Sequence, residues 1–112
     1  MKILFDQGTP VPLRKYLPGH QISTTFEKGW SSLKNGELLQ VAELEGFEVF
    51  ITTDQNLRYQ QNLTERKIAI VVLLSTSWPK IQLNIVKVVA VINLAKVHDY
   101  LEVEIRNEKE NL

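Results

Sequence analysis

The sequence contains no cysteine, which excludes disulfides and thiol chemistry. It also has no net charge, because 13 basic and 13 acidic residues cancel, so no overall positive field steers it towards nucleic acid or membrane. The longest apolar run, residues 68–74, is far too short to cross a bilayer. The apolar start is too short for a secretory signal peptide. We therefore expect a soluble, cytoplasmic protein without membrane contact.

Glycine and proline are sparse as well, with five and four residues, and no linker, repeat or low-complexity segment separates parts of the chain. At 112 residues and 44% hydrophobic composition, the chain is long enough to bury one core. We therefore predict a single domain over residues 1–105. Residues 106–112 follow the last hydrophobic position and are polar, which predicts a frayed tail.

Five segments have the character of strands, and segments of helical periodicity separate most of them. The strands are predicted at residues 2–5, 21–26, 47–53, 67–74 and 100–105. The fourth is continuously apolar, as in a strand covered on both faces, whereas the last alternates apolar and acidic residues like an edge strand. The alternation of strands and helices predicts an α/β protein, a three-layer α/β/α sandwich with a mostly parallel sheet.

Three helices are expected between these strands. The first starts at Pro10, and the second begins with Asn35 as its N-cap and ends at Gly46. The third is the longest and begins after residues 78–80. It is predicted as one helix because its apolar residues follow steps of three and four: Ile81, Ile85, Val88, Val89, Ile92 and Ala95.

Acidic residues stand where the first and third strands end. Asp6 follows the first strand and Asp54 the third, while Glu37 lies in the first turn of the helix after the second strand. Ligands of open parallel sheets bind beyond the carboxyl ends of the strands, so these acids are candidates for one site. Clustered carboxylates repel each other unless a cation neutralises them, and a hard divalent ion such as Mg²⁺ is the natural partner.

A structural interpretation of the same acids stays open at this point. An Asp after a strand often caps a turn by accepting backbone N–H groups, and a Glu in a first helical turn favours the helix dipole. Four amides follow Asp54 and could bind ion-held waters or substrate groups without adding repulsive charge: Asn56, Gln60, Gln61 and Asn62.

Three short motifs, "ILFDQGTP", "NGELL" and "ITTDQN", resemble the PIN-like domains, specifically a group of short, single-domain bacterial proteins. The resemblance extends over nearly the whole chain, roughly residues 1–105. It implies a PIN-like sandwich with acids gathered at one sheet edge. It also implies a nuclease, a phosphodiester hydrolase dependent on Mg²⁺ or Mn²⁺, of the kind found as toxins in toxin–antitoxin pairs.

The resemblance assigns roles to individual residues. Asp6 matches the acid of the first strand, Glu37 the helix acid and Asp54 the acid after "TT". Asn56 falls near a position where many PIN domains carry a fourth acid, so an amide there should weaken binding of a second metal ion. A Glu often follows the first acid in related sequences, whereas this chain has Gln7.

The leading hypothesis is a PIN-like ribonuclease in which Asp6 and Asp54 bind the ion directly and water attacks in line. Glu37 would bind the ion or orient the water, and Asn56 would contact the ion's ligands. Three further residues are candidates for substrate contact, Tyr59 by stacking on a base and Arg58 and Gln60 by polar contacts.

A rival hypothesis is a catalytically degenerate PIN-like module that binds a protein, such as an antitoxin-like partner. In that case the acidic edge or the loop 55–63 would be the contact surface. A homodimer through Trp78 and the long helix is compatible with either hypothesis.

Overall fold

The computed structural model describes residues 1–60, 63 and 65–107. Five strands form one sheet in which every neighbouring pair is parallel, in the order β2-β1-β3-β4-β5. The predicted α/β class with a mostly parallel sheet is confirmed, while its PIN-like character stays a prediction. The strands are β1 (Lys2–Phe5), β2 (Gln21–Thr24), β3 (Val49–Thr52), β4 (Ala69–Leu73) and β5 (Tyr100–Val103).

The described helices connect these strands. A 3-10 helix (Val11–Tyr16) lies between β1 and β2, α1 (Asn35–Leu44) between β2 and β3, and the single-turn α2 (Leu57–Gln60) follows β3. Two further helices, α3 (Trp78–Leu83) and α4 (Ile85–Leu94), lie between β4 and β5. No helix in this described part of the chain has the length and apolar character needed to cross a bilayer.

The sheet separates two hydrophobic cores, because successive side chains of a strand point to opposite faces. On one face Ile3 and Phe5 of β1 pack with buried residues of the 3-10 helix, α3 and α4. On the other face Leu4 packs with residues of α1 and with Leu57 of α2. Full burial of each such side chain is worth about 1.5–3 kcal/mol, so helices on both faces are held by the sheet.

The two strand environments expected from the sequence are confirmed. Every residue of β4 is buried, and β4 lies between β3 and β5. β5 lies at one edge of the sheet, and its exposed Glu102 interrupts the apolar pattern. A continuous apolar run and an alternating one therefore distinguish the covered strand from the edge strand, as the physical argument requires.

The predicted long helix is wrong in two respects, because the helical segment begins at Trp78 rather than after residue 80 and is divided at Asn84 into α3 and α4. Asn84 is completely buried, and its Nδ2 donates to the carbonyl of Lys80 at 2.8 Å and to that of Arg106 at 2.9 Å. Arg106 N donates back to Asn84 Oδ1 at 3.2 Å. The helix break thus anchors the chain beyond β5. Because of these hydrogen bonds, the backbone of Arg106 is fixed to the fold and is not frayed. Residues 108–112 of the predicted tail lie outside the described residues.

The predicted start of α1 is wrong by one position, whereas its predicted end is confirmed. Lys34 is the N-cap, and Asn35 is the first helical residue. The Asn35 side chain donates from Nδ2 to Asp54 Oδ2 at 3.2 Å, so it contacts a neighbouring loop instead of capping its own helix. Gly46 follows the helix with a φ of 83°, a conformation that glycine adopts without a steric penalty.

Trp78, which the sequence left open as part of a homodimer surface, packs against its own chain, and the homodimer stays a prediction. It is partly buried against the core of α3 and α4, and its ring lies 5.9 Å from that of Tyr16. Its contacts within the chain account for its burial.

Candidate functional site

The sheet order brings Asp6 and Asp54 to one edge. β1 and β3 are parallel neighbours in which Phe5 pairs with Ile51, so the residues after both strands emerge side by side. Both acids line a cleft of about 310 Å³ with Asn35 at the start of α1. We call this the acidic cleft and define it by Asp6, Gly8, Thr25, Asn35, Thr53 and Asp54.

The Asp6 carboxylate is held by three donors. Its Oδ1 accepts from the N–H of Gly8 at 3.1 Å and is 2.8 Å from Thr9 Oγ1. Its Oδ2 accepts from the hydroxyl of Thr52, a side chain that is only 1% exposed. Gly8 permits this close turn, because a Cβ there would overlap Thr53 Oγ1. The local sequence therefore fixes the direction in which Asp6 points.

Burial raises the pKa of Asp6 above its ordinary value of 3.8, although the hydrogen bonds from Thr52, Thr9 and Gly8 act in the opposite direction. The Thr9 hydroxyl has one hydrogen but lies 2.8 Å from both Asp6 Oδ1 and the carbonyl of Ile51. Because burial disfavours the ionised form, a nearby cation would stabilise ionised Asp6.

Asp54 is joined to Asp6 through Thr52. The Asp54 N–H donates to Thr52 Oγ1 at 3.0 Å, and the same hydroxyl donates to Asp6 Oδ2. The Asp54 carboxylate accepts from the N–H of Asn56 at 3.0 Å and from Asn35 Nδ2 at 3.2 Å. One buried hydroxyl thus fixes the relative positions of both acids.

The donor set of the acidic cleft fits a hard divalent cation. Each carboxylate oxygen offers two acceptor sites, so three hydrogen bonds to Asp6 and two to Asp54 leave acceptor sites on both side chains. Mg²⁺ in proteins is commonly held by one or two carboxylates with water completing its shell. Asp6 and Asp54 are the residues that would hold such an ion.

Glu37 is not brought into this arrangement. It is exposed in the first turn of α1 and does not line the acidic cleft. Within residues 1–60, 63 and 65–107, no group of three or more His, Asp or Glu side chains is placed to hold a metal ion. The roles predicted for Glu37 stay predictions.

The residues expected to contact substrate lie elsewhere. Arg58 Cζ is 4.7 Å from the ring centre of the exposed Tyr59, and Arg58 Nη1 lies 3.5 Å from a carboxylate oxygen of Glu102 on β5. The side chain of Asn56 is exposed, and only its backbone reaches Asp54. The side chain of Gln60 lies outside the described part of the structure, as do Gln61 and Asn62.

A second cleft of about 510 Å³ adjoins the first on the β2 side, and the two share Asp6, Gln7 and Thr25. We call it the β2 cleft; its remaining lining residues are Thr9, Val11, Arg14, Thr24, Phe26 and Glu27. Arg14 Nη2 is 2.6 Å from Glu27 Oε1, and this hydrogen bond lowers the pKa of the exposed Glu27 carboxyl.

Sequence reasoning missed Thr25, Phe26 and Thr52 as residues of these two clefts and of the Asp6 contacts. A signal was present for Thr52, which ends β3, and for Thr25, which directly follows β2. Threonine ends β2 and β3, although the rest of β3 is apolar, and hydroxyls at the end of a strand commonly serve as local hydrogen-bond partners.

Comparisons of the chain with protein-family models, with curated proteins and with solved structures find no match in any of the three. The resemblance to PIN-like domains therefore stays a prediction from the sequence motifs.

Proposed function

We propose that this protein is a PIN-like, divalent-metal-dependent phosphodiester hydrolase that acts on RNA. The observation that carries the proposal is the placement of Asp6 and Asp54 in one cleft, at the carboxyl ends of two neighbouring parallel strands. That is the edge at which open α/β sheets bind ligands. A role as a toxin-like component of a toxin–antitoxin pair rests on the motif resemblance alone.

The chain's own contribution is to position the two carboxylates. Thr52 and the Gly8 turn hold Asp6, while Asn35 and the backbone of Asn56 hold Asp54. A bound Mg²⁺ or Mn²⁺ would supply Lewis-acid stabilisation of developing phosphate charge and would lower the pKa of a bound water. Fixing both ligands in advance removes the entropy cost of ordering them when the ion binds.

The test is RNA cleavage with and without Mn²⁺ by the wild-type protein and by Asp54→Asn. Mutation of a residue that hydrogen-bonds a metal ligand typically lowers activity by about 10–100-fold. Loss of a direct ligand should therefore lower the cleavage rate by about 100-fold or more. Glu104→Gln is the matched control, because Glu104 is an exposed carboxylate outside both clefts. Equal activity of Asp54→Asn and wild type would refute the assignment, and Glu37→Gln tests the predicted third acid separately.

A catalytically degenerate, partner-binding module is the second candidate. It is favoured by the exposed position of Glu37, which leaves the acidic cleft with two acids among its lining residues. This alternative expects no change in melting temperature with Mn²⁺. It also predicts that the wild-type protein binds a protein partner and that Tyr59→Ala lowers the affinity for this partner. Tyr59 is 73% exposed on the loop predicted to make that contact.

A further inference from the structure

The β2 cleft has the dimensions of a ligand site and opens directly beside the acidic cleft. Its volume of about 510 Å³ lies within the range of roughly 300–1,000 Å³ typical of small-molecule sites. Asp6, Gln7 and Thr25 line both clefts, so a ligand that enters one can extend into the other.

The wall of the β2 cleft carries an aromatic ring that is open to solvent. Phe26 is 79% exposed, and Val11, which also lines the cleft, is 53% exposed. An exposed Phe ring can stack on a nucleobase, because every nucleobase has a planar face.

The charges of the β2 cleft indicate which part of a nucleotide it would take. Arg14 is paired with Glu27, so its charge is already matched, and Asp6 adds a negative charge at the shared boundary. A phosphate would meet no unmatched cation among these lining residues. A neutral planar base with polar edges fits the cleft better.

We propose that the β2 cleft binds one nucleobase of single-stranded RNA, stacked on Phe26, so that the adjoining phosphodiester lies over the acidic cleft. The proposal rests on the proposed nuclease function, because it names the subsite that would present the scissile bond to Asp6 and Asp54. Phe26 is a positioning residue in this account.

The experiment measures binding of a labelled oligoadenylate and of a matching abasic ribose-phosphate strand, in EDTA and at low ionic strength. Stacking on an aromatic side chain is worth roughly 1–3 kcal/mol per base, so Phe26→Ala should weaken oligoadenylate binding by about 5- to 150-fold and leave abasic binding unchanged. Phe26→Trp should retain binding. Leu44→Ala is the control, because Leu44 is also 79% exposed but lies on α1 outside both clefts.

Equal effects of Phe26→Ala and Leu44→Ala, equal affinity for the abasic strand, or no binding by the wild-type protein would each overturn the proposal. Because EDTA removes metal, these outcomes are separate from a failure of metal-dependent cleavage.

Discussion

Replacing Thr52 by Val tests the link between the two acids. The substitution keeps the shape of the side chain and removes a hydroxyl that donates to the Asp6 carboxylate and accepts from the Asp54 N–H. A hydrogen bond to a charged group contributes about 1.5–3 kcal/mol, and a neutral one about 0.5–1.5 kcal/mol. Thr52 is 1% exposed, so water cannot replace these partners. We expect the free energy of unfolding at neutral pH to fall by roughly 2–4 kcal/mol.

The pH dependence of this loss gives a sharper test. The pKa of Asp6 is raised in the folded protein, so folding favours its protonated form, and ionisation of Asp6 reduces stability as the pH rises through the folded pKa. Thr52 is one of the groups that oppose this rise, so Thr52→Val should raise the pKa of Asp6 further. The stability loss should therefore be largest above that pKa and should shrink as the pH falls through it.

Urea unfolding, followed by tryptophan fluorescence at several pH values, provides the measurement. Thr52→Ser keeps the hydroxyl and should retain the pH dependence of the wild type. In an Asp6→Asn background, Thr52→Val should lose its pH-dependent part, because the titrating partner is absent. A Thr52→Val protein as stable as wild type, or one with the same loss at every pH, would refute the reasoning.

Two further substitutions test other parts of the structure. Gly8→Ala places a methyl group against Thr53 Oγ1. We expect thermal unfolding to show a stability loss of about 1–3 kcal/mol, and Mn²⁺ to bind more weakly. Unchanged metal affinity would show that this turn does not shape the site. Asn84→Ala removes the hydrogen bonds to Lys80 and Arg106 and leaves buried backbone groups unpaired, so urea unfolding should show a loss of roughly 2–4 kcal/mol. A loss below about 1 kcal/mol would contradict the anchoring role of Asn84.

The sheet could be predicted from the sequence because its determinants are local. The apolar run around β4 and the alternation in β5 each report the environment of one strand. Asp6 and Asp54 could be placed together by the same reasoning, since parallel strands present their carboxyl ends at one edge.

The features that sequence reasoning missed depend on partners distant in the chain. Asn84 interrupts a helical pattern because its side chain bonds Arg106, 22 residues away, and periodicity contains no trace of that contact. Asn35 is drawn to Asp54, 19 residues away, rather than to its own helix. The prediction for Glu37 depends on its position in the chain alone. That position places Glu37 in a helix but does not give the direction in which its side chain points.

The most direct test of the central claim is calorimetric titration of Mn²⁺ and Mg²⁺ into the wild-type protein, Asp54→Asn and Glu104→Gln. The account predicts that the wild type and Glu104→Gln bind the ion with equal affinity, and that Asp54→Asn binds it at least about tenfold more weakly. Equal affinity in all three proteins, or no binding by the wild type, would contradict the claim that Asp6 and Asp54 form a metal site.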